Sequence, residues 1–230
     1  MKFIVKNGEP RELIEHRATP GANFDGSPKE VIRNSLIEEQ RGVCAYCLSR
    51  ISNEWVPDLK KFKTEIEHYL SQDSRPDLSM TYTNMLGVCN GNDGQGEHKL
   101  HCDKSKDLKK NKASLPLTLN PLDRNCEAFT FYTRQGVIDS DTPEKKKDIE
   151  VLNLNEQTLV NNRKAVIEAV YKKLIDEHKR QTGHQTGSWK SRLIRQELRN
   201  WSDPIRNQYR EFCQTAIYFL NKELAKVDRQ

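Results

Sequence analysis

The 230-residue chain has no apolar run approaching the ~20 residues that a membrane-spanning helix needs. Its first residues, Met1-Lys2-Phe3-Ile4-Val5-Lys6, contain no apolar core long enough for a secretion signal, so the expected compartment is the cytoplasm. Apolar residues are modest at 35% and aromatics scarce at 7%, against 31% charged residues. This balance predicts a polar protein with a limited core, yet not one too poor in apolar residues to fold. An acidic excess is also missing. The net charge is +5 and the pI about 8.8, which suits a polyanionic partner without specifying one. The length allows one large domain or two small ones.

Six cysteines are present. In a reducing compartment they are a poor disulfide framework and a better metal site. Cys44-Ala45-Tyr46-Cys47 has the two-residue spacing that lets one turn aim both sulfurs at a single ion, and a redox pair shares that spacing. No βαβ pattern surrounds it, and a second pair, Cys89 and Cys102, favours zinc. Twelve residues separate Cys89 from Cys102, with Gly91, Gly94 and Gly96 marking a looped insertion. The fourth ligand is Cys102, or else His98 or His101, because zinc accepts imidazole as well as thiolate. Cys126 is the odd thiol and is expected to be buried.

Between these pairs lies Glu65-Ile66-Glu67-His68-Tyr69, then Asn84 ahead of Met85-Leu86-Gly87-Val88. Adjacent Glu67 and His68 offer a carboxylate for a metal and an imidazole that titrates near neutrality for activating water. Glu67 and Asp103 are hard oxygen donors suited to Mg²⁺ or Mn²⁺. Lys104, Lys106, Lys109 and Lys110 form a basic run that is either a solvated helix face or a grip on phosphate. Lys60, Lys61 and Lys63, in a loop or hairpin tip with Trp55, pose the same alternative.

These residues resemble the HNH endonucleases, the ββα-metal nucleases, in Glu67-His68, Asn84, the order of the four cysteines, and Cys102-Asp103-Lys104-Ser105-Lys106 beside that family's Cys-Asn-x-x-Lys helix start. The resemblance favours Cys102 as fourth zinc ligand. It implies an α+β fold with a zinc-stapled ββα core inside a mainly helical chain. One strand would run from Lys63 to Tyr69, a second over Asn84 to Val88, and a helix from Cys102 through Lys110. It also implies His68 as water activator, Glu67 and Asp103 as metal ligands, and Asn84 as the group that holds the His68 loop. Ile66-Glu67-His68-Tyr69, His101-Cys102-Asp103, Asn120-Pro121-Leu122 and Leu152-Asn153-Leu154-Asn155 are similar to the PtuB group, HNH effectors of Septu and retron-linked anti-phage systems. That similarity implies a PtuA-type ATPase partner and, in retron-linked versions, a reverse transcriptase with its RNA–DNA product. DNA is the favoured substrate. An RNA such as tRNA, or a zinc-stabilised binding module without turnover, is the alternative.

The chain divides into residues 1–41, the nuclease core 42–112, an extended segment with a β-hairpin 113–145, and a helical region 146–230. Phe3-Ile4-Val5 reads as an opening strand followed by loop, with His16 a lone loop histidine. Ser27 is the expected N-cap of a helix that carries Arg33 and ends before Gly42. Residues 128–133 and Val137-Ile138 read as the hairpin, with Phe129 and Phe131 on its core face. Helices are expected from Pro143 onward, broken by a loop at Gly183–Gly187, with Asp203 capping the last one. Arg163 and neighbouring cations would form a positive helical layer.

Overall fold

The computed structural model describes residues 1–183 and 189–229. It is an α+β protein whose sheet content is three antiparallel hairpins among helices. Residues 184–187 of the expected Gly183–Gly187 loop lie outside the described residues.

The N-terminal residues do not form a strand. The amide of Phe3 donates to Glu127, that of Ile4 to the Pro121 carbonyl and that of Asn7 to Glu39, so these donors are spent on a loop and two side chains. Helix α1 (Arg11–Arg17) lies within the stretch expected to be loop. His16 bonds the Asn23 carbonyl there. Helix α2 (Lys29–Glu39) starts after Pro28, which takes the N-cap position, and Ser27 supplies no side-chain cap; its carbonyl receives the Lys29 amide. Arg33 of this helix is buried, donating to the Thr64 carbonyl and to Asn53.

A short hairpin, β1 (Trp55–Val56) and β2 (Lys61–Phe62), leads into β3 (Thr64–His68). Strand β3 pairs antiparallel with β4 (Met85–Cys89), setting Glu67 opposite Leu86 and His68 opposite Met85. A two-stranded ribbon leaves edges that need partners. Gln40, just past α2, supplies one: its amide donates to the Gly87 carbonyl and accepts from the Gly87 amide, both at 2.7 Å.

The expected helix through Lys110 is one turn only, α3 (Asp103–Lys106). Leu108 is extended, and a 3₁₀ stretch, Lys109–Ser114, follows. Asn111 terminates the helix by donating to the Ser105 carbonyl. The later hairpin is β5 (Phe131–Tyr132) and β6 (Ile138–Asp139), and Tyr132 rather than Phe131 is its buried ring.

Helix α4 (Pro143–Val151) precedes the long α5 (Gln157–Thr182), which packs with α6 (Ser191–Ser202) and α7 (Cys213–Val227) around Leu174, Ile194 and Leu220. Arg163 is buried, not part of a positive surface: it donates to the carbonyls of Gly136 and Leu154 and ties the β5–β6 hairpin to α5. Asp203 follows α6 instead of capping α7. Residues 205–212 stay non-helical because their backbone is used elsewhere. The Tyr209 amide bonds the Arg41 carbonyl, the Phe212 amide bonds that of Leu48, and Arg50 takes the Tyr209 carbonyl. The largest core group runs from Met1 and Ile4 past Cys44, Leu86 and Cys102 to Leu152 and Phe212, so the cysteines lie inside it.

Candidate metal centre and carboxylate cluster

The turn carrying Cys44 and Cys47 is closed by Cys44 N–H to the Ser49 carbonyl and Leu48 N–H to the Cys44 carbonyl. The Ala45 amide then docks this knuckle on the Gly87 carbonyl of β4, at whose end Cys89 sits. Cys102 arrives from the other side of the insertion, its amide bonded to the Leu152 carbonyl. The neck of that insertion is closed by His101 N–H to the Gly91 carbonyl. Gly91 has φ +56°, and a Cβ there would stand 2.3 Å from the His101 oxygen, so glycine is required.

All four cysteines are buried, and their sulfurs lie within 4.8 Å of one another. The Cys47–Cys89, Cys89–Cys102 and Cys44–Cys102 separations are 3.6, 3.8 and 3.9 Å. Four sulfurs held tetrahedrally about 2.3 Å from one zinc would be about 3.8 Å apart, so the cluster has the geometry for a metal ion such as zinc. Burial opposes ionisation of Cys47, but hydrogen bonds from Cys102, Cys44 and Cys89 outweigh it and hold that thiol well below its usual range. Burial pushes Cys102 up, and its neighbours' sulfurs reinforce this. Four sulfur donors converging in one buried cage suit a soft cation, whose binding would displace the remaining thiol protons. His101 Nδ1 sits 3.2 Å from Cys102 Sγ and 3.9 Å from Cys89 Sγ, against the cage rather than within the four-sulfur set. His98 is exposed on the insertion.

Strand β3 alternates, so its neighbours divide. Glu65 pairs with Lys104 at 2.5 Å, and Glu67 pairs with Lys106, on the side facing α3. His68 meets Phe24 edge-on at 4.6 Å between ring centroids, and its Nε2 bonds the Ser79 carbonyl at 2.8 Å. With Nε2–H donating, Nδ1 carries the lone pair. Burial pushes the imidazole pKa down, Lys106 adds to this, and Asp103 opposes it. The Ser79 bond also opposes the lowering, and the net shift favours the neutral imidazole.

Glu67 is only 5% exposed. Burial raises its pKa well above the carboxylate range, and the Asp103 carboxylate, in hydrogen-bond contact with it, pushes the same way. Lys106, 2% exposed, opposes both effects through its ion pair. The same ammonium reaches the His68 carbonyl at 3.2 Å and Asp103 at 3.9 Å. Tyr46, inside the Cys-x-x-Cys turn, donates to Glu67 at 3.1 Å.

Asn84 clasps the turn after β3, accepting from the Leu70 amide at 2.9 Å and donating to the Leu70 carbonyl at 3.0 Å. Of the candidate lysines, Lys106 is a buried partner of Glu67 and not a surface contact, because the carboxylate needs a counter-charge in a dry site. Lys104 is likewise engaged by Glu65, while Lys109 and Lys110 are exposed. Sequence reasoning missed Tyr46 and the inward turn of Lys106. The signal for the second was present: three residues after Asp103, Lys106 falls one helical turn on, toward the same carboxylates.

No family model matches the chain. The chain is similar to a Septu protein PtuB. That protein, from Bacillus thuringiensis, is 28% identical over 151 residues, covering 54% of this chain and 56% of the relative. The chain therefore spans about half the length of the PtuB it matches. Among the described residues no helix is long and apolar enough to cross a membrane.

Proposed function

We propose that the protein is a metal-dependent HNH endonuclease that hydrolyses phosphodiester bonds, acting as an effector of anti-phage defence. The observation that carries this reading is the terminus of β3. Glu67 and His68 are successive residues there, the hairpin is pinned to the four-cysteine cage, and α3 brings Asp103 to Glu67.

The residues fit a hard cation. Two buried carboxylates lie in contact, and Asp103 Oδ1 has no hydrogen-bond partner among the described residues. Glu67 and Asp103 would hold Mg²⁺ or Mn²⁺, which when bound neutralises charge growing on the phosphate and leaving oxygen. The chain's own residues do the rest. Ser79 fixes the imidazole through Nε2, leaving Nδ1 of His68 to take the proton from the attacking water. Asn84 holds the following turn through Leu70. Zinc in the Cys44, Cys47, Cys89 and Cys102 cage would cross-link a hairpin and helix too small to build a core of their own.

The similarity to a Septu PtuB supports a defence role and a PtuA-type ATPase partner; a retron reverse transcriptase with its RNA–DNA product is a further partner of this reading. DNA is the favoured substrate. The test is cleavage of supercoiled plasmid and of tRNA with Mn²⁺ or Mg²⁺, with and without the co-expressed ATPase, for the parent chain and His68→Ala. Cleavage lost in the variant is expected. Equal cleavage by both chains would discard His68 as the water activator, and none from the parent under any condition would leave a zinc-stabilised binding module.

A further inference from the structure

A groove of about 360 Å³ runs along the start of β3, from Thr64 to Ile66, between α2 and the β1–β2 hairpin. Its walls combine Trp55, Phe62 and Phe24 with Lys29, Lys60 and Lys61. Trp55 is 48% exposed, unusual for so large an apolar ring. It is held rather than loose: Phe62 meets it edge-on at 5.1 Å, and the buried Arg33 guanidinium stacks 3.9 Å over Phe62 from behind. Beyond that contact, nearly half of the Trp55 surface faces solvent. Lys60 stands at the hairpin tip, in the left-handed conformation that closes the Pro57–Leu59 turn. Lys29 lies 5.0 Å over the Phe24 ring. Glu65, the acid on this wall, is drawn off by Lys104, while Lys61 is paired with Asp93. Phe24 joins the groove to the proposed chemistry, because the ring that lines it also packs on His68.

An exposed, braced indole beside Lys60, and beside Lys29 whose 3.8 Å ion pair with Asp25 stays at the surface, is the combination that stacks unpaired bases while tracking a phosphate backbone. We propose that this groove binds a single-stranded polynucleotide, with Trp55 as stacking platform and Lys29 and Lys60 as phosphate contacts. The inference deepens the nuclease reading and rests on it for the direction of the strand, toward His68. A duplex offers no open base face to Trp55, so the preference is for unpaired substrate.

The test uses the full His68→Ala chain and fluorescein-labelled oligo(dT), oligo(U) and duplex of about 12 nucleotides, a length within the usual site size for such grooves. Anisotropy at matched salt is expected to show either single strand bound about tenfold more tightly than the duplex. Trp55→Ala should weaken single-strand binding about tenfold and leave duplex binding unchanged, with Trp55→Phe retaining most of the affinity. Lys60→Glu should weaken binding and flatten its salt dependence. Duplex preference, or parental affinity in Trp55→Ala, would overturn the proposal. Should Trp55→Ala not fold, a chain with Trp189 and Trp201 replaced by Phe decides: oligo(dT) must quench the remaining indole emission, and unchanged emission overturns it. Cleavage that ignores His68 beside Trp55-dependent single-strand binding would defeat only the proposed chemistry. The converse pattern would defeat only this groove.

Discussion

The ammonium of Lys106 lies in ion-pair contact with the Glu67 carboxylate, inside the protein and within reach of Asp103. Under the proposed metal site, lysine and a divalent ion would be rivals for one carboxylate pair. Replacing Lys106 by Met should tighten Mn²⁺ binding about tenfold, read by electron paramagnetic resonance of free Mn²⁺. It should also cost about 3 kcal/mol of stability without metal, because a buried carboxylate loses its partner. Urea unfolding with and without Mn²⁺ checks this. Unchanged Mn²⁺ affinity would mean that Lys106 only holds Glu67 in place.

The sulfur cage predicts about one zinc per purified chain, measurable by inductively coupled plasma mass spectrometry. Cys44→Ser and Cys102→Ser should lose the metal and the cooperative melting of the hairpin region. His101→Ala should keep it, since His101 stands against the cage and outside the four-sulfur set. Zinc lost from His101→Ala and kept in Cys102→Ser would reverse the choice of fourth ligand.

The Asn84 clasp makes two partly buried hydrogen bonds with Leu70. Asn84→Ala should cost about 2 kcal/mol, at roughly 1 kcal/mol per bond, and lower nucleic-acid cleavage without altering zinc content. Asn84→Asp keeps the acceptor for the Leu70 amide and should recover part of the loss. Full activity in the alanine variant would show that the turn holds its shape unaided.

Gly91→Ala places a methyl group against the His101 carbonyl at a positive φ. The neck of the insertion must then open, shifting Cys102. The expected result is destabilisation of about 2 kcal/mol and faster zinc loss to a chelating dye. Parental release kinetics would argue against a rigid neck.

Much of this was legible in the sequence where the signal is local. The Cys-x-x-Cys turn, strand β3, the hairpin partner beginning at Met85 and helices α4 to α6 follow from spacing, alternation and helical period. Failures cluster where a distant group captures the backbone. Phe3 to Val5 is β-prone, yet Pro121 and Glu127 take its amides. The stretch 205–212 carries helical spacing behind an Asp-Pro start, yet Arg41, Leu48 and Arg50 hold it in a non-helical, turn-rich path against the cysteine knuckle.

By itself the sequence determined which chemical groups exist and which lie close along the chain: paired thiols, a carboxylate beside an imidazole, a lysine one turn beyond Asp103. Tertiary structure decided their environments. Lys106 has the composition of a surface contact, but packing of α3 on β3 removes it from water, and a charge so placed must find an opposite one. The pairing of β3 with β4 turns His68 toward Phe24 and Ser79 and Glu67 toward Tyr46, a division set by register and invisible in the dipeptide alone.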